Sequence, residues 1–530
     1  MHQDILLVLG LLFAVSLLTL LSPKLRIAYP ILLVIGGLLI AFVPGIPHVH
    51  IDPELIFLIF LPPLLYEAAW FTNWHQFWKW RRSISMLAFG LVFLTSLVVG
   101  LFTSWMIPGF TLAMGFLLGG IISPPDAVAA TSVLKGLPIP KRATTLLEGE
   151  SLVNDASSLI VFRFALVAVL TGQFSMGEAV GQFFLLALGG IAVGLALAHV
   201  MYFAHKLLPT TPSIDTAMTL MSPYLMYIIA EEFHTSGVLS VVSGGLFLSY
   251  RSHAFLDHKA RIQAYSVWST LIFMLNGLVF ILIGLDLPDI VAGLGHGELR
   301  SAILYGLLVS AVVIAVRFGW MYVGTWLARL LFRGDLERTP AGDFRLATVL
   351  GWAGMRGVVS LASALSIPHL LDTGEPFPMR GTILVMTFVV ILVTLVGQGL
   401  TLPWLVRRLK LVEVDHHLPE EEQELILRKR MVHAVVDRLS AIPERDTKIQ
   451  EVLDHFAELE TTYIRELEDI QRAEGSPSEK NSIAERELLG MVMAAQRGAL
   501  LKARSERTFD HELLRKMESK LDLEQARLNN

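Results

Sequence analysis

The chain is 530 residues long, 54% hydrophobic and 17% charged, with a mean hydropathy of +0.59, too apolar for a soluble globular protein and typical of an integral membrane one. It has no cysteine, which excludes disulfides, thiolate metal sites and thiol redox chemistry, and its net charge of −5 is too small to point to a nucleic-acid partner. The N-terminal Met1-His2-Gln3-Asp4 lacks a basic stretch, so the first apolar run reads as a retained span rather than a signal peptide. In chain order, stretches of about 20 predominantly apolar residues, the length a bilayer crossing needs, fall at 4–22, 26–46, 53–72, 83–106, 109–132, 146–170, 177–205, 214–232, 236–250, 263–287, 299–328, 345–368 and 381–406. These thirteen predicted helices are followed by a charged segment, with 26 acidic and 18 basic residues in the 120 positions from Leu411 onward. The expected division is therefore a membrane domain over 1–410 and a helical soluble domain over 411–530.

Alternate loops between the thirteen spans carry Lys24 and Arg26; Lys79, Arg81 and Arg82; Lys135, Lys141 and Arg142; Lys206; Arg251, Lys259 and Arg261; Arg329, Arg333, Arg338 and Arg345; then Arg407, Arg408 and Lys410. The opposite loops hold only Arg300 and Arg380, so 19 basic residues stand against 2. Because Lys and Arg accumulate on the cytoplasmic side, the N-terminus is expected outside and the tail in the cytoplasm. In the tail, Pro443 and the Gly-Ser-Pro-Ser at 475–478 read as breaks between helices, and Val452, Phe456, Leu459 and Tyr463 have helical spacing. A regulatory or dimer-stabilising module and a solvated appendage both fit that pattern.

Two spans are interrupted alike. The fifth carries Gly119-Gly120-Ile-Ile-Ser-Pro124-Pro125-Asp126 and the twelfth Gly351-Trp-Ala-Gly354-Met-Arg356-Gly357. They are the fifth members of two halves, spans 1–6 and 8–13, whose offset of seven spans gives them opposite orientation. Matched interruptions in inverted repeats point to a transporter's midplane site, and here they carry Asp126 and Arg356.

Charge inside hydrocarbon is costly and is by default a functional hypothesis. The ionisable candidates are Glu67, Asp126, Glu150, Asp155, Arg163, Glu231, Arg317 and Arg356. On the sixth span, residues 147–155 read Leu-Glu-Gly-Glu-Ser-Leu-Val-Asn-Asp. At 3.6 residues per turn, Ser151 and Asp155 share one face, and Glu150 and Asn154 a neighbouring one. Oxygen-rich sites without sulfur suit hard cations, and carboxylates carry protons at membrane depth. No GxxxxGK[ST] loop appears, so the energy source is an ion gradient rather than ATP. Arg163, two turns past Asp155, reads as snorkelling or locally paired, and Glu231 and Glu232 as outer-surface charges. His48, His50, His75, His253 and His258 read as solvated.

Three motifs resemble the sodium/proton exchangers of the cation:proton antiporter-1 family, the NhaP-like and animal exchanger branch. They are Pro125-Asp126-Ala-Val-Ala, then Glu148-Gly-Glu150-Ser151-Leu-Val-Asn154-Asp155, then Gly354-Met-Arg356-Gly357-Val-Val-Ser360. The resemblance covers about the first 410 residues, and the tail is similar to those of long bacterial members. It implies an all-α polytopic protein with about thirteen helices, two inverted repeats and crossed broken helices, as in an NhaA-like fold. It further implies Asp155 as the shared proton and cation site with Asn154 beside it, Ser151 and Glu67 as further Na+ ligands, and an ion pair between Glu150 and Arg317. Asparagine at 154, where electrogenic relatives carry aspartate, implies one proton per cation. One departure is Pro125-Asp126-Ala127 where the family usually has Thr-Asp-Pro: proline keeps a carbonyl ligand, but a threonine hydroxyl is lost.

The expected function is electroneutral Na+(Li+)/H+ antiport serving pH homeostasis, by a homodimer in the bacterial cytoplasmic membrane. Asp155 would be protonated or cation-loaded but never both, and no cofactor is expected. A K+/H+ exchanger is the alternative, since carboxylate and carbonyl oxygens do not by themselves fix the cation accepted; a gated cation channel is less consistent with inverted halves around an occluding carboxylate.

Overall fold

Within apolar runs this long, backbone groups have no water to bond, so the chain satisfies them helically and departs from helix only where other protein covers the break. The computed structural model describes residues 2–25, 27–43, 53–172, 176–292, 294–331, 344–371, 374–411, 420–440, 482–506 and 509–529. The described residues are helical apart from connecting turns and one isolated bridge between Leu370 and Pro376. In order the helices are α1 (His2–Leu25), α2 (Tyr29–Ala41), α3 (Pro53–Phe71), α4 (Trp74–Ser85), α5 (Val92–Met106), α6 (Leu112–Ile122), α7 (Ala127–Leu134), α8 (Lys141–Thr171) and α9 (Met176–Leu207). They continue with α10 (Pro212–Glu232), α11 (Gly237–Arg251), α12 (His258–Leu285), α13 (Leu287–Ala292), α14 (His296–Leu331), α15 (Phe344–Trp352), α16 (Val358–Leu365), α17 (Arg380–Leu392) and α18 (Gly399–Leu409). Among the described residues, seven helices are long and apolar enough to cross a membrane, or eight if α6 and α7, bent by 40° at their break, are taken as one span.

One predicted loop is corrected. Residues 73–82, read as a connection because of Lys79, Arg81 and Arg82, belong to α4. The Asn73 side chain accepts from the backbone N–H of His75 and Gln76 at 3.1 and 3.2 Å, which caps the helix. From there α4 runs through a wide turn at Met86–Leu91 straight into α5. Its charges do not end the helix because aromatic faces take them: the Arg81 guanidinium lies 4.6 Å from the Trp78 ring centre and Lys79 Nζ 5.3 Å from that of Trp80. The spans at 146 and 263 likewise begin earlier than predicted, at Lys141 and His258, while α2 stops at Ala41. His205 also departs from the solvated reading of most histidines, being buried with its Nδ1 2.8 Å from Asp215.

Small residues bring the site-bearing helices together. A Cβ on Gly115 or Gly119 of α6 would fall within 2.6 Å of α5 backbone at Gly100 or Ser96, and one on Gly120 within 2.8 Å of Phe162 N on α8. Larger side chains would force α5, α6 and α8 apart. The helix pairs α6/α7 and α15/α16 are interrupted at 123–126 and 353–357, and the breaks meet: Asp126 N–H donates to the Met355 carbonyl at 2.7 Å, and the Arg356 guanidinium donates to the Ser123 carbonyl. Arg356 N–H donates to Thr394 Oγ at 3.0 Å, from a wide turn at Val393–Gln398.

The chain divides into two units, Met1–Leu256 with Ala264–Val414, and Asp257–Gln263 with Asp415–Asn530. Within the second, Leu427, Met431, Met493, Leu500, Leu513, Met517 and Leu521 form an apolar core. Asp522 accepts there from Arg497 at 2.6 Å and from Arg261 at 2.8 Å. The tail features predicted at Pro443, 452–463 and 475–478 lie outside the described residues, as do Arg26, His48, His50, Arg333 and Arg338.

Candidate functional site

The crossing of the two interrupted segments leaves a cavity of about 330 Å³ beside it. Glu67 of α3, Pro125 and Asp126 of the first break, Ser151 and Asp155 of α8, and Gly357 at the head of α16 all line it. Asp126 caps α7, its Oδ1 accepting from the N–H of Val128 at 2.9 Å and Ala129 at 3.3 Å, so a carboxylate is fixed where the positive end of a helix supports its charge. Ser151 Oγ accepts from Ala127 N–H at 3.3 Å, tying α8 to the same cap. Asp155 follows Ser151 by one turn and is buried, and among the described residues its carboxylate has neither a hydrogen bond nor an ion pair. A partner-poor carboxylate beside a capped one, in a buried cavity, can hold a proton or a hard cation, but holding both would leave excess positive charge.

The two faces of α8 separate. Glu150 turns away from the cavity to Arg317, which donates to both carboxylate oxygens, at 2.6 and 2.8 Å, and from Nε to the Leu350 carbonyl at 3.0 Å. Both residues are 1% exposed. Asn154, expected beside Asp155 at the shared site, does not line the cavity: its amide donates to the Pro125 carbonyl at 3.0 Å. It supports the break from behind, and occupies one lone pair of the carbonyl that was expected to serve as a backbone ligand. Arg356 also lies outside the cavity lining and stitches the crossing, while Arg163 pairs with Glu231 at 2.8 Å on a partly exposed flank. Missed by the sequence reading were Asn276 of α12 and Ser360 of α16, both of which line the cavity. The available signal was a lone amide inside an apolar span and a hydroxyl closing the third motif.

The glycines of that motif make the packing possible. A Cβ on Gly354 would come 2.4 Å from Arg317 Cδ, and one on Gly357 2.0 Å from Asp126 Oδ2. Gly357→Ala is therefore expected to push the Asp126 carboxylate out of its cap, at about 1–3 kcal/mol for the overpacking. A thermal melt in detergent should fall accordingly, and an unchanged melt would mean that α16 is not seated on Asp126.

The sodium/hydrogen exchanger transmembrane family model matches residues 10–408. The chain belongs to the sodium/hydrogen exchanger family. An uncharacterized Na(+)/H(+) exchanger of Mycobacterium tuberculosis is 33% identical over 98% of this chain and 95% of its own length. The sodium, potassium, lithium and rubidium/H(+) antiporter of Bacillus pumilus is 36% identical over 72% of this chain and 58% of its own. The Na(+)/H(+) antiporter ApNhaP of Aphanothece halophytica is 33% identical, covering 83% and 81%. In fold the chain is similar to the sodium proton antiporter MjNhaP1 of Methanocaldococcus jannaschii, with a TM-score of 0.59 and 20% identity over 77% of this chain and 99% of that one. It is thus a multi-pass membrane transporter with sodium/proton exchange as its family activity, and not an enzyme.

Proposed function

We propose that this exchanger is an electroneutral Na+(Li+)/H+ antiporter in which Asp155 is the shared proton and cation site. The observation that carries the reading is the placement of Asp155 and Ser151 on one turn of α8, in the same cavity as the capped Asp126 and Glu67. Asp155 gives up its proton as the cation arrives, Ser151 and Glu67 supply further oxygens, and Asp126 adds negative charge at the break. Asn154 carries no charge, so one cation replaces one proton. A carboxylate loaded with either ion crosses as a neutral unit, whereas the bare carboxylate does not, and that difference enforces exchange.

Thirteen passes in two inverted halves, N-terminus outside and tail in the cytoplasm of a bacterium, would let the half bearing the crossed breaks rock against the rest. The protein would work as a homodimer. Proton flux into sealed vesicles, driven in turn by Na+, Li+, K+ and Rb+, tests the reading. Release with Na+ and Li+, unaffected by clamping the membrane potential, is expected; no release with any of the four would overturn it. Potassium/proton exchange is the second reading, and the breadth of cations in the name of the Bacillus pumilus relative favours including it.

The tail is proposed to regulate rather than transport. Every charge assigned to the site precedes Arg407, and after Val412 no apolar run is long enough to cross a bilayer. Truncation after Val412 should leave Na+-driven flux in place while shifting its pH profile or weakening the dimer. A truncated protein that is abundant and dimeric yet inactive would show that the tail completes the transport machinery.

A further inference from the structure

Two polar side chains in the cavity have no role in the exchange scheme. Ser360 is 1% exposed, and among the described residues its Oγ is buried with no hydrogen-bond partner. Several buried serines in the spans bond back along their own helices, Ser96 to the Val92 carbonyl, Ser158 to Asp155, Ser222 to Met218 and Ser310 to Gly306, while Ser240 reaches the Met226 carbonyl of a neighbouring helix. Ser360, in the first turn of α16, makes no such bond. Of the residues three and four before it, Arg356 belongs to the break and Gly357 caps the helix, its carbonyl already accepting from Leu361 N–H at 3.4 Å. It follows Gly357 by three positions, on the helix face that meets the Asp126 carboxylate. A buried hydroxyl without a partner is costly, and natural proteins rarely keep one without use.

Asn276 lines the same cavity from α12 and is 6% exposed. Among the described residues its amide has no hydrogen-bond partner. Its helix packs on α3, where Trp268 stacks on Tyr66 with ring centres 5.4 Å apart and Tyr265 meets Phe71 edge-on at 5.9 Å. Asn276 thus lines one cavity together with Glu67, Asp126 and Ser360.

We propose that the Ser360 hydroxyl and the Asn276 side-chain carbonyl are neutral oxygen ligands of the transported alkali cation, and that they set discrimination between small and large cations. The proposal rests on the antiport reading above. A dehydrating hard cation needs more oxygens than its charge-balancing carboxylates supply, and neutral ligands fill the remainder. Because a hydroxyl and an amide carry no net charge, they leave one proton exchanged per cation and act on affinity alone. A small cation, which concentrates its field, loses more than a large one when a ligand is withdrawn.

The full-length protein in proteoliposomes provides the test, with cation-induced proton release titrated for Li+, Na+, K+ and Rb+. Ser360→Ala and Asn276→Ala should each raise the apparent KM for Li+ and Na+ about ten-fold, the loss of roughly one ligand, and the KM for K+ and Rb+ distinctly less. The maximal rate and insensitivity to membrane potential should persist, and Ser360→Thr should restore Na+ affinity. In parallel, the rise in melting temperature that Na+ produces should shrink in Ser360→Ala, measurable in detergent even where transport is weak. Unchanged KM values for all four cations, or an equal rise for all four, would overturn the assignment, since a merely structural role moves every cation alike. If the unmodified protein releases protons and Asp155→Asn does not, such a result removes only the neutral ligands. If the unmodified protein releases none, the antiport reading falls and this assignment falls with it.

Discussion

Asp155→Asn is expected to insert and fold normally yet release no protons in response to any cation. The substitution keeps the shape of the side chain and removes only its charge and its titration. Asp155 is the site-lining carboxylate that, among the described residues, has neither a hydrogen bond nor an ion pair, so its removal breaks no contact that holds the fold. Of the groups nearest along the break, Asp126 is held by two backbone N–H groups of α7, and Ser151 accepts from Ala127 and carries no charge. A neutral amide at 155 can neither carry the proton nor balance a bare cation, so the cation would have to enter hydrocarbon uncompensated. The measurement is cation-induced proton flux at matched membrane abundance, with melting temperature confirming the fold. Retained exchange at normal abundance would remove Asp155 from the centre of the mechanism.

How far the sequence reaches is visible residue by residue. The interruptions at Pro124-Pro125-Asp126 and Gly354-Met-Arg356-Gly357 were legible because proline and paired glycines inside an apolar run leave few alternatives to a broken helix. The helical period alone separated Ser151 and Asp155 from Glu150 and Asn154, and the structure places the first pair in the cavity and the second away from it. What the residues of α8 outside the cavity meet depends on other elements: Asn154 reaches a carbonyl 29 positions away and Arg163 a glutamate 68 positions away. The helical start at Trp74 was hidden because basic residues mark loops on average, and only the placement of Arg81 over Trp78 and Lys79 over Trp80 shows that the helix accommodates them. Ser360 was quoted within a motif but given no function. A serine in a membrane helix often bonds its own backbone, and that the Ser360 hydroxyl does not is visible only once the helices are packed.

Glu150 and Arg317 are expected to behave as one unit in a double-mutant cycle. Their bidentate contact is buried on both sides and tied through Arg317 Nε to the Leu350 carbonyl, so it joins α8 to α14 and α15 next to the crossing. Gly354 leaves the space through which the Arg317 side chain passes. Removing one partner strands a full charge in a low-dielectric interior and costs roughly 3–5 kcal/mol, whereas removing both withdraws the desolvation penalty along with the attraction and is often near neutral. Glu150→Gln and Arg317→Leu should therefore each lower the melting temperature in detergent, and the double substitution should recover much of the loss. Strictly additive losses would mean that the two side chains do not meet. Neither residue lines the cavity, so the double variant, where stable, should also regain cation-driven proton flux. A double variant that melts normally but transports nothing would move the pair from holding the helices together to taking part in the transport cycle itself.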